Sequence, residues 1–170
     1  VGYQALTGFT TGGTNVAVGQ SALYALTTGT KNTAVGYNAG AAITTGIGTT
    51  FIGYNAGYQS DAGYSVIIGD RAFDASTDST SSSNVIIGAN AGGAVNSAYS
   101  SDNVFIGYDA GLGGSGRIHS SIAIGRNAMK STAANAVTGQ IAIGMEALSA
   151  LTSGDANLAI GYQAMKVHTT

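Results

Sequence analysis

Cysteine, proline and tryptophan are all missing from this chain, and charge is scarce. Without cysteine there is no disulfide scaffold, no thiol nucleophile and no soft metal ligand. Charged residues are 8% of the total, against roughly a quarter in a typical domain. The net charge of −2 leaves no basic footprint, so no nucleic-acid partner is expected. No run of 18 apolar residues could span a bilayer, so no membrane insertion is expected. Histidine occurs only as His119 and His168. The carboxylates are scattered, with no paired spacing suited to acid/base work. Gly113-Gly114-Ser115-Gly116 resembles a phosphate loop in glycine content alone, because no Lys-Ser/Thr follows it. Asp74 and Asp78 share one loop, but the Gly-Gly-x-Gly-x-Asp calcium repeat is absent and a hard cation needs several converging oxygens. Neither catalysis nor a metal or cofactor is expected.

Low charge with many small residues could mean disorder, but disordered chains lack regular apolar strands. Here the apolar residues fall in register. Ten glycines key ten copies of one pattern: Gly2, Gly19, Gly36, Gly53, Gly69, Gly88, Gly107, Gly125, Gly144 and Gly161. The interval between neighbours stays within a few positions from one end of the chain to the other. Such a period marks a stacked-repeat architecture. Each key glycine follows a β-branched residue, Val or Ile, which suits a pleated strand. Two residues further back stands a second residue of the same face, mostly apolar, with Thr33 and Thr50 as exceptions. Between them, on the opposite face, lie Ala17, Ala34, Phe51, Ile67, Ile86, Phe105, Ala123, Ala142 and Ala159. The strand is therefore apolar on both faces. The expected fold is all-β, a parallel β-solenoid of ten coils of about 16–19 residues each.

Three positions carry the repeat structurally. The key glycines, among them Gly36, Gly53, Gly107 and Gly161, end each strand where a positive φ or a close backbone approach is needed. Three residues later every copy has alanine, as at Ala39 and Ala110, which predicts a stacked column of methyls inside the turn. Four residues before the glycine stands Asn in five copies, including Asn32, Asn103 and Asn157, and Thr, Ser or Gln in others. These can bond a nearby backbone group or one another along the coil axis.

Thr-Thr-Gly recurs in the joins at Thr10-Thr11-Gly12, Thr27-Thr28-Gly29 and Thr44-Thr45-Gly46. Each such join reads as a second short strand with a corner. Ala22–Leu26 fits one helical turn as well. The array is a single domain, 1–170, with regular coils over 1–57, longer polar joins over 58–120 and regular coils again over 121–170. Val1-Gly2-Tyr3 already reads as part of a copy, and no polar capping repeat closes either end. The chain is thus expected to be a piece of a longer one, without a signal peptide.

A coil of this size has one interior, and no long amphipathic helix is evident to cover a second face. The second apolar face is expected to pack against identical chains with closed symmetry, as a homotrimer. The residues that vary from Ala to Ile and Phe between the two β positions, Ala34 to Ala123, would then set how far apart the chains lie.

Asn-x-Ala-Val-Gly-Tyr-x-Ala, as at Asn32–Ala39, resembles the head repeat of trimeric autotransporter adhesins. That resemblance implies a homotrimeric parallel β-roll on a bacterial outer surface. The longer period, with Ala-Leu after the motif and Thr-Thr-Gly in the join, is more similar to repeats of phage tail fibres. This implies a virion-surface, extracellular shaft that contacts a host glycan or protein through its loops. Tyr37, Tyr54 and Tyr108 each follow a key glycine and would share one ridge, fit either to touch sugar rings or to cover the coil corner. With Asp74, Asp78, Arg117 and His119 in the polar joins, they are the candidate receptor contacts.

Overall fold

A computed structural model describes residues 1–61, 63–76, 81–97, 99–132 and 134–168. The chain is all-β among these residues. Nine three-residue strands form one parallel sheet: β1 (Val16–Val18), β2 (Thr33–Val35), β3 (Thr50–Ile52), β4 (Val66–Ile68), β5 (Val85–Ile87), β6 (Val104–Ile106), β8 (Ile122–Ile124), β10 (Ile141–Ile143) and β12 (Leu158–Ile160). Each strand pairs with the next copy in unbroken register, for example Ala34 opposite Phe51 and Phe105 opposite Ala123. This is a parallel β-solenoid of about eight turns between its first and last strands. The first copy has only Val1 ahead of its glycine. It adds a turn, with the Ser21 N–H donating to the Tyr3 carbonyl, but no strand.

The Thr-Thr-Gly joins form no strand. Two successive amides converge on one carbonyl instead: Thr27 N–H and Thr28 N–H both donate to the Thr44 carbonyl, and the Thr27 hydroxyl joins them. Convergent donors bend the chain, whereas a strand needs them to point alternately outward. The second-side strands lie in later joins. β7 (Ile118–His119) pairs with β9 (Val137–Thr138), and β11 (Ala150–Leu151) pairs with β13 (Val167–His168).

Ala22–Leu26 is not helical. Ser21 and Leu23 have φ of 55° and 50°, in the left-handed region. The same alternation follows other key glycines, as at Asp109 (53°) and Gly111 (54°). It makes two successive tight turns, closed by Ala110 N–H to the Gly107 carbonyl and Leu112 N–H to the Asp109 carbonyl. A positive φ at the third residue of each is what type II turns require.

Which face is inside corrects the expectation. The middle strand residues, expected to separate neighbouring chains, point into the coil: Ala34, Phe51, Ile67, Ile86, Phe105 and Ala123 are fully buried. They vary because they fill the core. The flanking Val and Ile residues point outward. The alanine column lies inside, with Ala39 and Ala110 fully buried.

Two ladders hold the coils in register. The key glycines stack backbone on backbone. Gly107 has φ 131°, and a Cβ there would lie 2.8 Å from the Gly125 carbonyl. The second ladder is polar and buried. Asn32 Oδ1 accepts from the Thr49 N–H at 3.0 Å, while its Nδ2 donates to the Gly46 carbonyl at 2.8 Å. Asn103 N–H and Nδ2 both donate to Asn84 Oδ1, and Asn103 Oδ1 accepts from Ser121 N–H. Gln140 Oε1 accepts from the N–H and Nδ2 of Asn157. Buried polar groups are tolerated because each finds a partner one coil away.

Candidate interaction surface

The outward residues of the nine strands form two parallel columns. One runs from Val16 through Val66, Val104 and Ile141 to Leu158, and the other from Val18 through Ile52, Ile87 and Ile124 to Ile160. Neither holds a charged residue. Strand residues alternate between faces, so filling the coil with Phe51 or Phe105 necessarily turns their β-branched neighbours outward. At a rise of about 4.8 Å per coil the stripe is roughly 38 Å long. Val16 is 50% exposed and Ile160 64%, while the central members are half-covered by one another. An uncharged face of this length, apolar except at Thr33 and Thr50, is uncommon on a monomer.

Tyrosines stand beside this stripe, just past the key glycines. Tyr37 and Tyr54 stack, with ring centroids 5.2 Å apart and planes 9° from parallel. Tyr108 lies three coils further on, and the Arg126 guanidinium sits 5.9 Å from its ring centroid. These rings are 41–50% exposed, so each presents part of its surface outward while the rest lies against the coil. The ridge is discontinuous, because Asp70 and Ala89 occupy the same repeat position between Tyr54 and Tyr108. Next to Tyr108, the nearly buried Asp109 carboxylate is held by Lys130 at 3.0 Å.

The other candidates are dispersed. Asp74 is half-buried, and that burial pushes its carboxyl above the usual range, against the opposing pull of its own backbone amide and Arg71. Asp78 lies outside the described residues. His119 belongs to β7 rather than to an open loop. Its Nε2 is 3.9 Å from Asp102 Oδ2, and its buried Nδ1 has no partner among the described residues. Arg117 immediately precedes β7, where its carbonyl accepts from the Val137 N–H. Among the described residues, no three His, Cys, Asp or Glu side chains come together to hold a metal ion.

Two features escaped the sequence reading. Asp61 stands one coil after Thr44, where a fourth Thr-Thr-Gly would fall. Its Oδ1 accepts from the N–H groups of Thr44, Thr45 and Gly46 at 3.0–3.2 Å, and Oδ2 from both threonine hydroxyls. The carboxylate thus replaces the carbonyl of the missing copy in an anion-binding nest. Tyr24 and Tyr58 occur two coils apart, each at the fifth position after its key glycine. Period-two spacing was the available signal for this pair, and the break in the threonine series was the signal for Asp61. No family model, curated protein or solved structure matches the chain.

Proposed function

We propose that this chain is a non-enzymatic structural segment of a trimeric virion tail fibre, a rigid shaft that also bears attachment surfaces. The carrying observation is the uncharged apolar stripe on the outside of the sheet. One coil has one interior, and the stripe is the surface left over. Three copies meeting along it would bury the columns around a common axis. The steady period and the Thr-Thr-Gly joins support a fibre on the virion surface. A host-surface glycan or protein is the proposed external partner, met by the tyrosine ridge and the longer joins. The Asn32–Ala39 motif favours a second reading, the head of a bacterial trimeric adhesin on the outer cell surface; both readings share the assembly.

Light scattering on the purified chain tests the assembly. Three times the 16.7 kDa chain mass is the expected result. A single-chain mass overturns it. Ile52→Lys and Ile106→Asp place charges on outward positions and should reduce the particle to one chain while keeping the β-sheet circular dichroism of the parent. Full trimer mass in both variants would show that the stripe is not the contact.

A further inference from the structure

The Tyr24–Tyr58 pair bounds a groove of about 380 Å³ that the proposed trimer contact does not use. Tyr24, Ala41 and Tyr58 are equivalent residues of three successive coils. Gly8, Ala25 and Ala42 N–H groups donate to their carbonyls in turn. The column therefore reads tyrosine, methyl, tyrosine, with the buried Ala41 at the floor of the groove between two partly exposed tyrosines. The two tyrosines stand two coils, about 9.5 Å, apart along the axis, the scale of one flat ring rather than of a second polypeptide layer. The volume is at the low end of small-molecule sites.

Gln4, Ser21 and Asn38 line the same groove, one from each of three successive coils. They are the left-handed residues of their turns, with φ of 58°, 55° and 52°, and that conformation fixes the direction in which each side chain leaves the coil. Their side chains make no hydrogen bond to any described residue, so an amide, a hydroxyl and a second amide are free to donate and accept. The lining holds no charged residue. Phosphates, nucleotides and acidic sugars would find no counter-charge there. Two aromatic rings in one groove with a row of neutral hydrogen-bonding groups match a neutral pyranose, whose C–H faces stack on rings while its hydroxyls point sideways.

We infer that the slot between Tyr24 and Tyr58 is a binding site for a neutral saccharide, one pyranose ring seated over Ala41. The site gives chemical content to the attachment role proposed above and rests on that reading only for where the sugar comes from. It sits on the turns, away from the outward strand columns, so occupancy and assembly are separable.

The test titrates the intact chain with maltotetraose, cellotetraose and chitotetraose, read by tyrosine fluorescence and by the amide shifts of Ala25, Ala41 and Ala42. Saturable binding of at least one sugar is expected, with shifts centred on those amides. Tyr24→Ala and Tyr58→Ala should each weaken it about tenfold, since both rings are partly exposed and neither belongs to the core. Ala41→Tyr should abolish it by completing the tyrosine column, a residue both neighbouring coils already accept. Tyr64→Ala, at an exposed tyrosine outside the slot, should leave it unchanged. No binding by any of the three sugars, or binding that survives both Tyr24→Ala and Tyr58→Ala, overturns the site. Light scattering on the same samples reads the trimer independently, so failure of the slot and failure of the assembly are told apart.

Discussion

A Cβ added to Gly111 would lie 2.5 Å from Cδ1 and Cγ of Phe105. The glycine is there because the phenylalanine fills the coil. In several coils with a small strand residue the equivalent turn position is large: Ala17 goes with Leu23, Ala123 with Met129 and Ala142 with Leu148, all three turn residues fully buried. Ala34 and Gly40 are both small because the next coil reaches over them, and a Cβ on Gly40 would lie 2.9 Å from Phe51 Cδ2. Leu23, Met129 and Leu148 hold a positive φ of 48–50°, which non-glycine residues adopt at a cost, and their burial offsets it.

This exchange predicts a compensating pair. Gly111→Ala should destabilise the fold by roughly 2–4 kcal/mol, from overpacking together with left-handed strain on alanine. Phe105→Ala alone should cost roughly 3–5 kcal/mol by leaving a cavity. The double variant Phe105→Ala/Gly111→Met reproduces the next coil and should recover a large part of that loss. Denaturant midpoints of the four proteins give the coupling. Additive losses would mean the two positions do not share one volume.

A stacked glycine should be far less tolerant than a glycine in open space. Gly107→Ala must keep φ at 131° and push against the Gly125 carbonyl 2.8 Å away, so a loss of at least about 3 kcal/mol is expected. Gly13 has nothing within 4 Å of an added methyl and no positive φ, so Gly13→Ala should change the melting temperature little. Equal effects at the two sites would contradict the backbone contact as the cause.

Asn103 is the clearest test of the polar ladder. Asn103→Ala removes the acceptor of the Ser121 N–H and the donor to the Ile118 carbonyl, both buried. Each orphaned group costs about 1–3 kcal/mol. Asn103→Ser should lose less, because Ser121 serves the Gln140 N–H through its own hydroxyl one coil on. Thermal unfolding of both variants checks the order.

Asp61→Ala empties the nest at the end of the threonine series. Five hydrogen bonds from Thr44, Thr45 and Gly46 are lost together. Amide hydrogen exchange at those three residues should accelerate at least tenfold, while that of Leu23, two coils back, stays as in the parent. Unchanged protection would mean the carboxylate is ornamental to the bend.

The last coils should show a pH window. Lys166 lies 2.7 Å from Glu146, and Gln163 also donates to its carboxylate. The hydrogen bond from Lys166, then that from Gln163, holds the Glu146 carboxyl below its usual range, while the same pair raises Lys166. A lowered carboxyl contributes stability that is present above its ordinary value and lost as pH falls through the lowered one. A raised lysine contributes stability that is present below its ordinary value and lost as pH rises through the raised one. Protection of the Leu148 amide, which donates to the Ala164 carbonyl, should therefore fall on both sides of neutrality. Glu146→Gln should remove both limbs. The effect should be small, because the pair is open to solvent and screened.

Much of this protein follows from sequence alone. The period, the three-residue strands, the buried alanines and the asparagine ladder were all legible, because each depends on one residue type recurring at one position. Stacking makes that recurrence physical: Ala39 and Ala110 meet the same environment in different coils. The structure decided what periodicity leaves symmetric. A strand apolar on both faces gives no sign of which face is inside, and the size exchange between Phe105 and Gly111 links positions six residues apart that no alternation rule connects. The same holds for Tyr24 and Tyr58. They come to line one groove only because a single coil lies between them and its residue at that position is Ala41, a fact of three-dimensional neighbourhood that the linear order does not carry.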